Sequence, residues 1–341
     1  MDWVRRIMLW VGLLLIVAIV AAYLLPRHVR VERSATIAAP QATLFTVLNS
    51  FKHFNTWSPW FELDPAARYT HEGPGAGPGA TLRWVGNPRT LGSGSQIITV
   101  SDPYTRVAAD VDFGQGGGPA KQVYTLSADG AGTKVSWSMD VDLGMNPIAR
   151  YFGLGFDGRI GRDFDKGLGL LKAFAEGLPK ADFAGLEIEA ASVQPVTVAY
   201  VSTSSAKDDG AIAAAIGAAY GEVGAFMKAR KLKQAGAPMT IDTGSSDTGY
   251  LFDAAIPVDK APATPVPQDS RVQLKQTYGG KVLKVALRGP YSQIPGTYDR
   301  IVAYIAAHGM ATNGSPWDEF ANDPGTVKES EILTNIYFPI K

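Results

Sequence analysis

The chain of 341 residues contains no cysteine. That absence excludes disulfide staples, thiol nucleophiles and cysteine-ligated metals together. Histidine is scarce as well. His28, His53, His71 and His308 are the only four, and they are scattered without the spacing of a ligand set, so no metal centre is expected. Charge of one sign is lacking too, since 32 Lys and Arg balance 32 Asp and Glu. A neutral chain has no positive field to gather nucleic acid, and no Lys/Arg run appears, so no nucleic-acid partner is expected. A Gly-x-Ser-x-Gly elbow, a Walker loop and a dinucleotide fingerprint are all missing, and no cofactor is expected. The glycine-rich stretches 73–79 and 114–118 lack phosphate-loop spacing and read as turns.

Long apolar runs are confined to one place. From Ile7 to Leu25 there is no charge. These 19 residues, at ~1.5 Å each, extend roughly 28 Å, the thickness of a bilayer's hydrocarbon core. Trp3 and Trp10 flank one end and Tyr23 the other, where amphipathic rings favour the interface. Pro26 ends the helix. The run shows no polar face, which argues against a core helix. Two readings remain. Arg5 and Arg6 with Val20-Ala21-Ala22 fit a cleaved signal peptide. The run is long for such a segment and continues past that site, which fits a retained single-pass anchor over 7–26. Basic residues nearly balance across the run (Arg5 and Arg6 against Arg27, Arg30 and Arg33), so they assign no side of the membrane.

The remainder is long enough for two domains with cores of their own. The first is expected over 31–178. A strand at 31–38 is followed by a helix after Pro40, with Leu44, Phe45, Val47 and Leu48. Strand patterns follow at 81–85, 94–101, 106–113, 121–128 and 133–142, separated by Gly, Pro, Asn and Asp. A helix over 159–177 gathers Ile160, Phe164, Leu168, Leu171 and Phe174 on one face. The order predicts an α+β helix-grip, a curved antiparallel sheet on one long helix, which encloses a cavity.

The segments VERSATIAAPQATLFTVLNSFKHFNTWSPWFELDP, GPGAGPGATLRWVG, GSGSQIITVSDPYTRV, GTKVSWSMD and IGRDFDKGLGLLKAFAE resemble the START-like (SRPBCC) superfamily of polyketide cyclase/dehydrase and lipid-transport domains. The resemblance implies a helix-grip around an apolar pocket and does not imply cyclase chemistry. Trp57 and Trp60 stand in the loop after the first helix, either over a pocket mouth or plugging the sheet edge. Trp84 and Trp137 stand on strands, facing either pocket or core.

Residues 178–193 read as a linker, and the second domain is expected over 194–341 as an internal repeat. Strand 196–202, Ala-rich helix 210–230, Gly-Ala-Pro-Met at 236–239 and a strand ending Ile256-Pro257-Val258 form the first half. Strand 282–288, helix 294–308, Gly-Ser-Pro-Trp at 314–317 and a strand ending Phe338-Pro339-Ile340 form the second. A Pro-rich stretch at 260–268 joins them. Two β-α-β-β units predict a pseudo-twofold pair with a groove along the axis.

Gly279-Gly280-Lys281, Leu287-Arg288-Gly289-Pro290-Tyr291, Pro316-Trp317-Asp318-Glu319-Phe320 and Ile336-Tyr337-Phe338-Pro339-Ile340 resemble the gyrase-inhibitor-like domains, which also serve as effector-binding domains of AraC- and MerR-type regulators. The resemblance implies an aromatic-walled groove with a buried acid that takes small hydrophobic ligands, lipid-like or cationic, and some relatives hydrolyse strained rings. An acid among aromatic faces selects cations. Glu319 is the leading candidate, with Tyr250, Tyr278, Tyr291, Trp317 and Tyr337 around it. Asn335 stands where the family often has an acid, and Asp253 holds the repeat-equivalent position. The leading expectation is a membrane-anchored, non-catalytic carrier or sensor. The alternatives are an enzyme using Glu319 as acid/base and a membrane stress or signalling component.

Overall fold

The structure is a computed structural model that describes residues 2–114, 119–245 and 249–341. Beyond Gly114, the turn expected at 114–118 lies outside the described residues. The chain forms two compact units. The first holds Met1–Phe183 with Ala306–Gly309, and the second holds Ala184–Ile305 and Met310–Lys341.

The first unit opens with α1 (Asp2–Leu24). Its large apolar side chains stand exposed along almost its whole length. Strand β1 (His28–Ile37) follows, then α2 (Gln41–Leu48) after Pro40, and the single turn α3 (Phe54–Trp57). A meander of β2 (Arg68–Glu72), β3 (Thr81–Val85), β4 (Ser93–Asp102), β5 (Arg106–Asp112), β6 (Ala120–Asp129) and β7 (Gly132–Asp142) comes next. Strand β1 returns to pair along β7, giving the antiparallel order β1-β7-β6-β5-β4-β3-β2. Two helices close the unit, α4 (Pro147–Gly153) and α5 (Phe156–Glu176).

Helix α5 lays its apolar face across this sheet. Phe164, Leu168 and Leu171 recur at helical spacing and are all but inaccessible. Gly167 lies on the same face because nothing larger fits. A Cβ there would come 2.6 Å from the Trp137 ring and 3.0 Å from Pro59. Strand β2, missed in the sequence, is an edge strand with four of its five residues exposed. It therefore carries no alternating apolar signal.

Among the described residues the second unit is one antiparallel sheet of eight strands, with Gln273–Gln276 at one edge and Glu189–Val193 at the other. Its first half is β9 (Thr197–Ala206), α6 (Asp209–Arg230), β10 (Met239–Ser245) and β11 (Gly249–Pro257). Its second half is β13 (Gly280–Arg288), α7 (Ile294–Ala307), β14 (Trp317–Phe320) and β15 (Leu333–Pro339). Each half also owns a short leading strand, β8 (Glu189–Val193) or β12 (Gln273–Gln276). The leading strands cross over: β8 pairs with β13 of the second half and β12 with β9 of the first. Part of the expected linker is thus the edge of the sheet, and the sheet begins at Glu189 rather than after 194. A strand of four or five half-exposed residues is too short to show a period.

The halves meet where β10 pairs with β14, with Met239 opposite Glu319, Thr240 opposite Asp318 and Ile241 opposite Trp317. Two helices among the described residues are long and apolar enough to cross a membrane, 3–24 and 210–230. The second belongs to α6, which packs on β9 and β11 through Ala219, Val223 and Met227.

The contrast between two glycines of α5 tests the packing. Gly167→Ala is expected to lose on the order of 1–2 kcal/mol despite the better helix propensity of alanine, because Trp137 has no room to yield. Gly169→Ala, with nothing within 4 Å of the new Cβ, should gain up to about 1 kcal/mol. Denaturant unfolding of the two variants against wild type reads both signs.

Candidate ligand-binding site

A cavity of about 1130 Å³ lies in the second unit between α6 and α7. Strands β10, β11 and β14 supply its floor through Thr240, Asp242, Phe252, Asp318 and Phe320. Ile212, Ile216 and Tyr220, at i, i+4 and i+8, place one stripe of α6 on the cavity, and Ile294 and Tyr298 do the same for α7. Tyr291 stands at the rim, edge-on to Phe320 at 5.4 Å. Among the described residues, four carboxylates line the space (Asp242, Asp299, Asp318 and Asp323), and no Lys, Arg or His is among those lining residues.

Asp318 sits at the seam between the halves. The Tyr298 hydroxyl donates to its Oδ1 at 2.9 Å, and the Thr240 hydroxyl, across the seam, hydrogen-bonds to it as well. Enclosure strips water from the carboxylate, and the charge of Asp242 opposes its ionisation. Together these outweigh the two hydroxyls and push Asp318 up to about 7. Asp242 is fixed by the Gly244 N–H at 2.8 Å. The Tyr220 hydroxyl is buried and has no hydrogen-bond partner among the described residues. Burial also drives the Tyr220 phenol above the tyrosine range, so it remains a neutral donor. The site thus offers an apolar, aromatic enclosure with one costly carboxylate and one idle hydroxyl, an arrangement a bound molecule would complete.

Of the residues singled out in the sequence, the cavity gathers Tyr250 and Tyr291. Glu319 is outside it. Side chains alternate along a strand, so Asp318 and Phe320 face the cavity while Trp317 and Glu319 face the other way. Glu319 accepts from Asn335 Nδ2 at 3.1 Å on that second face. Trp317 stacks on Tyr337 there at 4.8 Å, and Tyr278 packs beside them, in a cluster with Met239, Ile241 and Val282. That face is filled rather than grooved. Asp253 is also on it, ion-paired with Lys275 and accepting from the Ser202 hydroxyl at 2.5 Å. Asp318 was overlooked because a one-residue difference decides the face; the signal available was the Thr-x-Asp and Asp-x-Phe alternation beside Pro238 and Pro316.

The tryptophans of the first unit are brought together, as core. Trp137 stacks on Phe164 at 4.0 Å, and Trp57 and Trp60 meet it edge-on at 5.9 and 5.6 Å. Trp57 and Trp137 are almost wholly inaccessible. Trp60 donates from Nε1 to Asp163 at 3.3 Å. Trp84 lies over Gly94, its partner on the neighbouring strand, where a Cβ would meet the indole at 2.4 Å. Trp57 and Trp137 belong to the buried hydrophobic cluster of this unit, with Trp60 and Trp84 packed against it.

The chain thus holds two compact units, the second with a cavity of aromatic and acidic lining. Residues 28–176 match the model of the family described as polyketide cyclase / dehydrase and lipid transport, and residues 187–341 match that of the GyrI-like small molecule binding domain. None of the curated proteins compared with the chain matches it. Among solved structures, it resembles the EcmrR C-terminal domain at 13% identity, covering 46% of this chain and 98% of that one, with a TM-score of 0.40. A hydrolase from Listeria innocua is 14% identical over 46% of this chain and 92% of its own, with a TM-score of 0.34. Ara h 8.0201 is 20% identical over 43% and 99%, with a TM-score of 0.32.

The raised Asp318 has a consequence for stability. Between its ordinary value of 3.8 and about 7, the folded chain holds a proton that the unfolded chain has released, so stability falls as pH rises through that window. Asp318→Asn is isosteric and removes the penalty. Its second unit should melt higher than wild type at pH 8, by an amount equivalent to on the order of 1–2 kcal/mol, and the two should converge at pH 4. Parallel melting curves at both pH values would show that Asp318 ionises without cost.

Proposed function

We propose that the chain is a single-pass membrane protein whose second domain binds small hydrophobic cations without transforming them. The observation that carries the reading is Asp318, a desolvated carboxylate at the floor of an aromatic cavity that four acids and no base line. The cavity is large enough for a drug-sized molecule. In the empty site at neutral pH, Asp318, pushed up to about 7, is close to half protonated. An entering cation displaces that proton and forms a charge pair where water is scarce, and Tyr220, Tyr298 and Phe252 offer ring faces to it. Binding is therefore an exchange of a proton for an organic cation. The length of α1, its exposed apolar surface and its terminal aromatic residues support the anchor.

Tetraphenylphosphonium is a suitable probe. Its affinity for the full-length protein is expected to fall about tenfold for each pH unit below 7, because the proton on Asp318 must first leave. Asp318→Asn should flatten that profile and weaken binding at pH 8 by roughly 10–100-fold. Glu319→Gln, altered on the opposite face, should bind as wild type does. Equal affinity of Asp318→Asn and wild type at pH 8 would overturn the assignment. Hydrolysis of p-nitrophenyl esters that disappears in Asp318→Asn would convert the reading to that of an enzyme.

A further inference from the structure

The connection between β7 and α5 is built to lie beside α1. Asn146 caps α4 by accepting from the N–H groups of Ile148 and Ala149 at 2.9 and 3.3 Å, and Pro147 fills the first helical position. Arg150, only 7% exposed, then turns toward the end of α1. Its Nη1 donates to the carbonyls of Tyr23 and Leu25 at 3.1 and 3.3 Å, and its Nε and Nη2 donate to Gly144 O. Those Tyr23 and Leu25 carbonyls are ones a helix end leaves without partners, and a cation there also suits the helix dipole. The guanidinium lies 5.3 Å from the centre of the Tyr23 ring, and the Tyr23 hydroxyl donates to Met145 O at 3.2 Å. Tyr151 donates to Ala18 O at 2.7 Å. Ala18 is six residues before Leu24, so α4 reaches about 9 Å back along α1 from its end.

The polar groups of this segment are spent on capping and on α1. Its outward surface consists of Met145, Ile148, Phe152 and Leu154, each 66–67% exposed. Four large apolar side chains at one place on a water-soluble face would be a liability. Beside the last turns of a membrane span they stand at the depth where interfacial helices bury their apolar side, some 5–10 Å into the headgroup and acyl boundary. We propose that α4 is a second membrane-contact element, a short helix that inserts Met145, Ile148, Phe152 and Leu154 into the lipid interface beside α1. It fixes the first domain against the bilayer surface instead of leaving it on a free tether. The occupant is a lipid surface, because the patch is continuous with the span: α1 packs directly on α4. The inference rests on the anchor reading of α1 and is independent of the cation site.

The absence of cysteine makes the test clean. Single variants Phe152→Cys, Leu154→Cys and Leu14→Cys of the full-length chain, each labelled with an NBD fluorophore, are reconstituted in phosphatidylcholine vesicles. Ser127→Cys, exposed at the opposite end of the sheet, serves as the water-facing reference. Labels at 152 and 154 are expected to lose most of their emission to doxyl-lipid quenchers and to resist aqueous iodide, as the label at 14 does in the span. Quenching by doxyl lipid at 14 but by iodide at 152 and 154 overturns the inference and leaves the anchor standing. Quenching by iodide at all three positions overturns the anchor and the inference together. Labels at 152 and 154 shielded from both quenchers mean a protein partner, such as a second copy, and also overturn it.

Discussion

The antiparallel seam between β10 and β14 governs the second domain. Its register sets Thr240 opposite Asp318 with both side chains on the helix-bearing face. The same register puts Ile241 opposite Trp317 on the other face, where they belong to a packed cluster. One strand pairing therefore separates a packed hydrophobic cluster from the cavity. Slipping it by one residue would bury Glu319 beneath the helices and expel Asp318, exchanging the roles of the two faces. The seam lies between the two repeats, so the carboxylate has no symmetry mate: Thr240 occupies the equivalent place, and the cavity floor is asymmetric in charge.

Much of the architecture was legible because it rests on long periodic signals. The strands of the first domain, the face of α5 and the two β-α-β-β halves all declare themselves through spacing. The elements that escaped notice share a physical cause. Strands β2, β8 and β12 are short and lie at sheet edges, where one row of backbone groups and most side chains meet water. Helix α4 is seven residues long with its apolar groups outward, the reverse of a core helix. Such elements are stabilised by what they pair with, and pairing partners distant in sequence leave no local trace.

The site was legible in kind and not in residue. The sequence points to an acid among aromatics near the Pro316–Phe320 strand, and the cavity in the structure is lined by Asp318 together with Tyr250 and Tyr291. Glu319, Trp317, Tyr278, Tyr337 and Asp253 lie on the opposite face, because the side a strand residue presents depends on parity alone. The tryptophans of the first domain posed a different question. Large aromatic residues line pockets and fill cores by the same packing, and only the 4.0 Å stack of Trp137 on Phe164, closed by Trp57 and Trp60, decides between them.

The crossed leading strands carry a lesson about ancestry. A lone half would own a leading strand with no partner inside itself, since β8 pairs only with β13 and β12 only with β9. Such a half satisfies its backbone by trading that strand with a second copy. Residues 260–268 join the halves, so strands that a lone half would have to trade with another chain are traded here within one. Once the two copies shared one chain they were free to diverge, and a lone aspartate at the axis, impossible in an identical pair, became available.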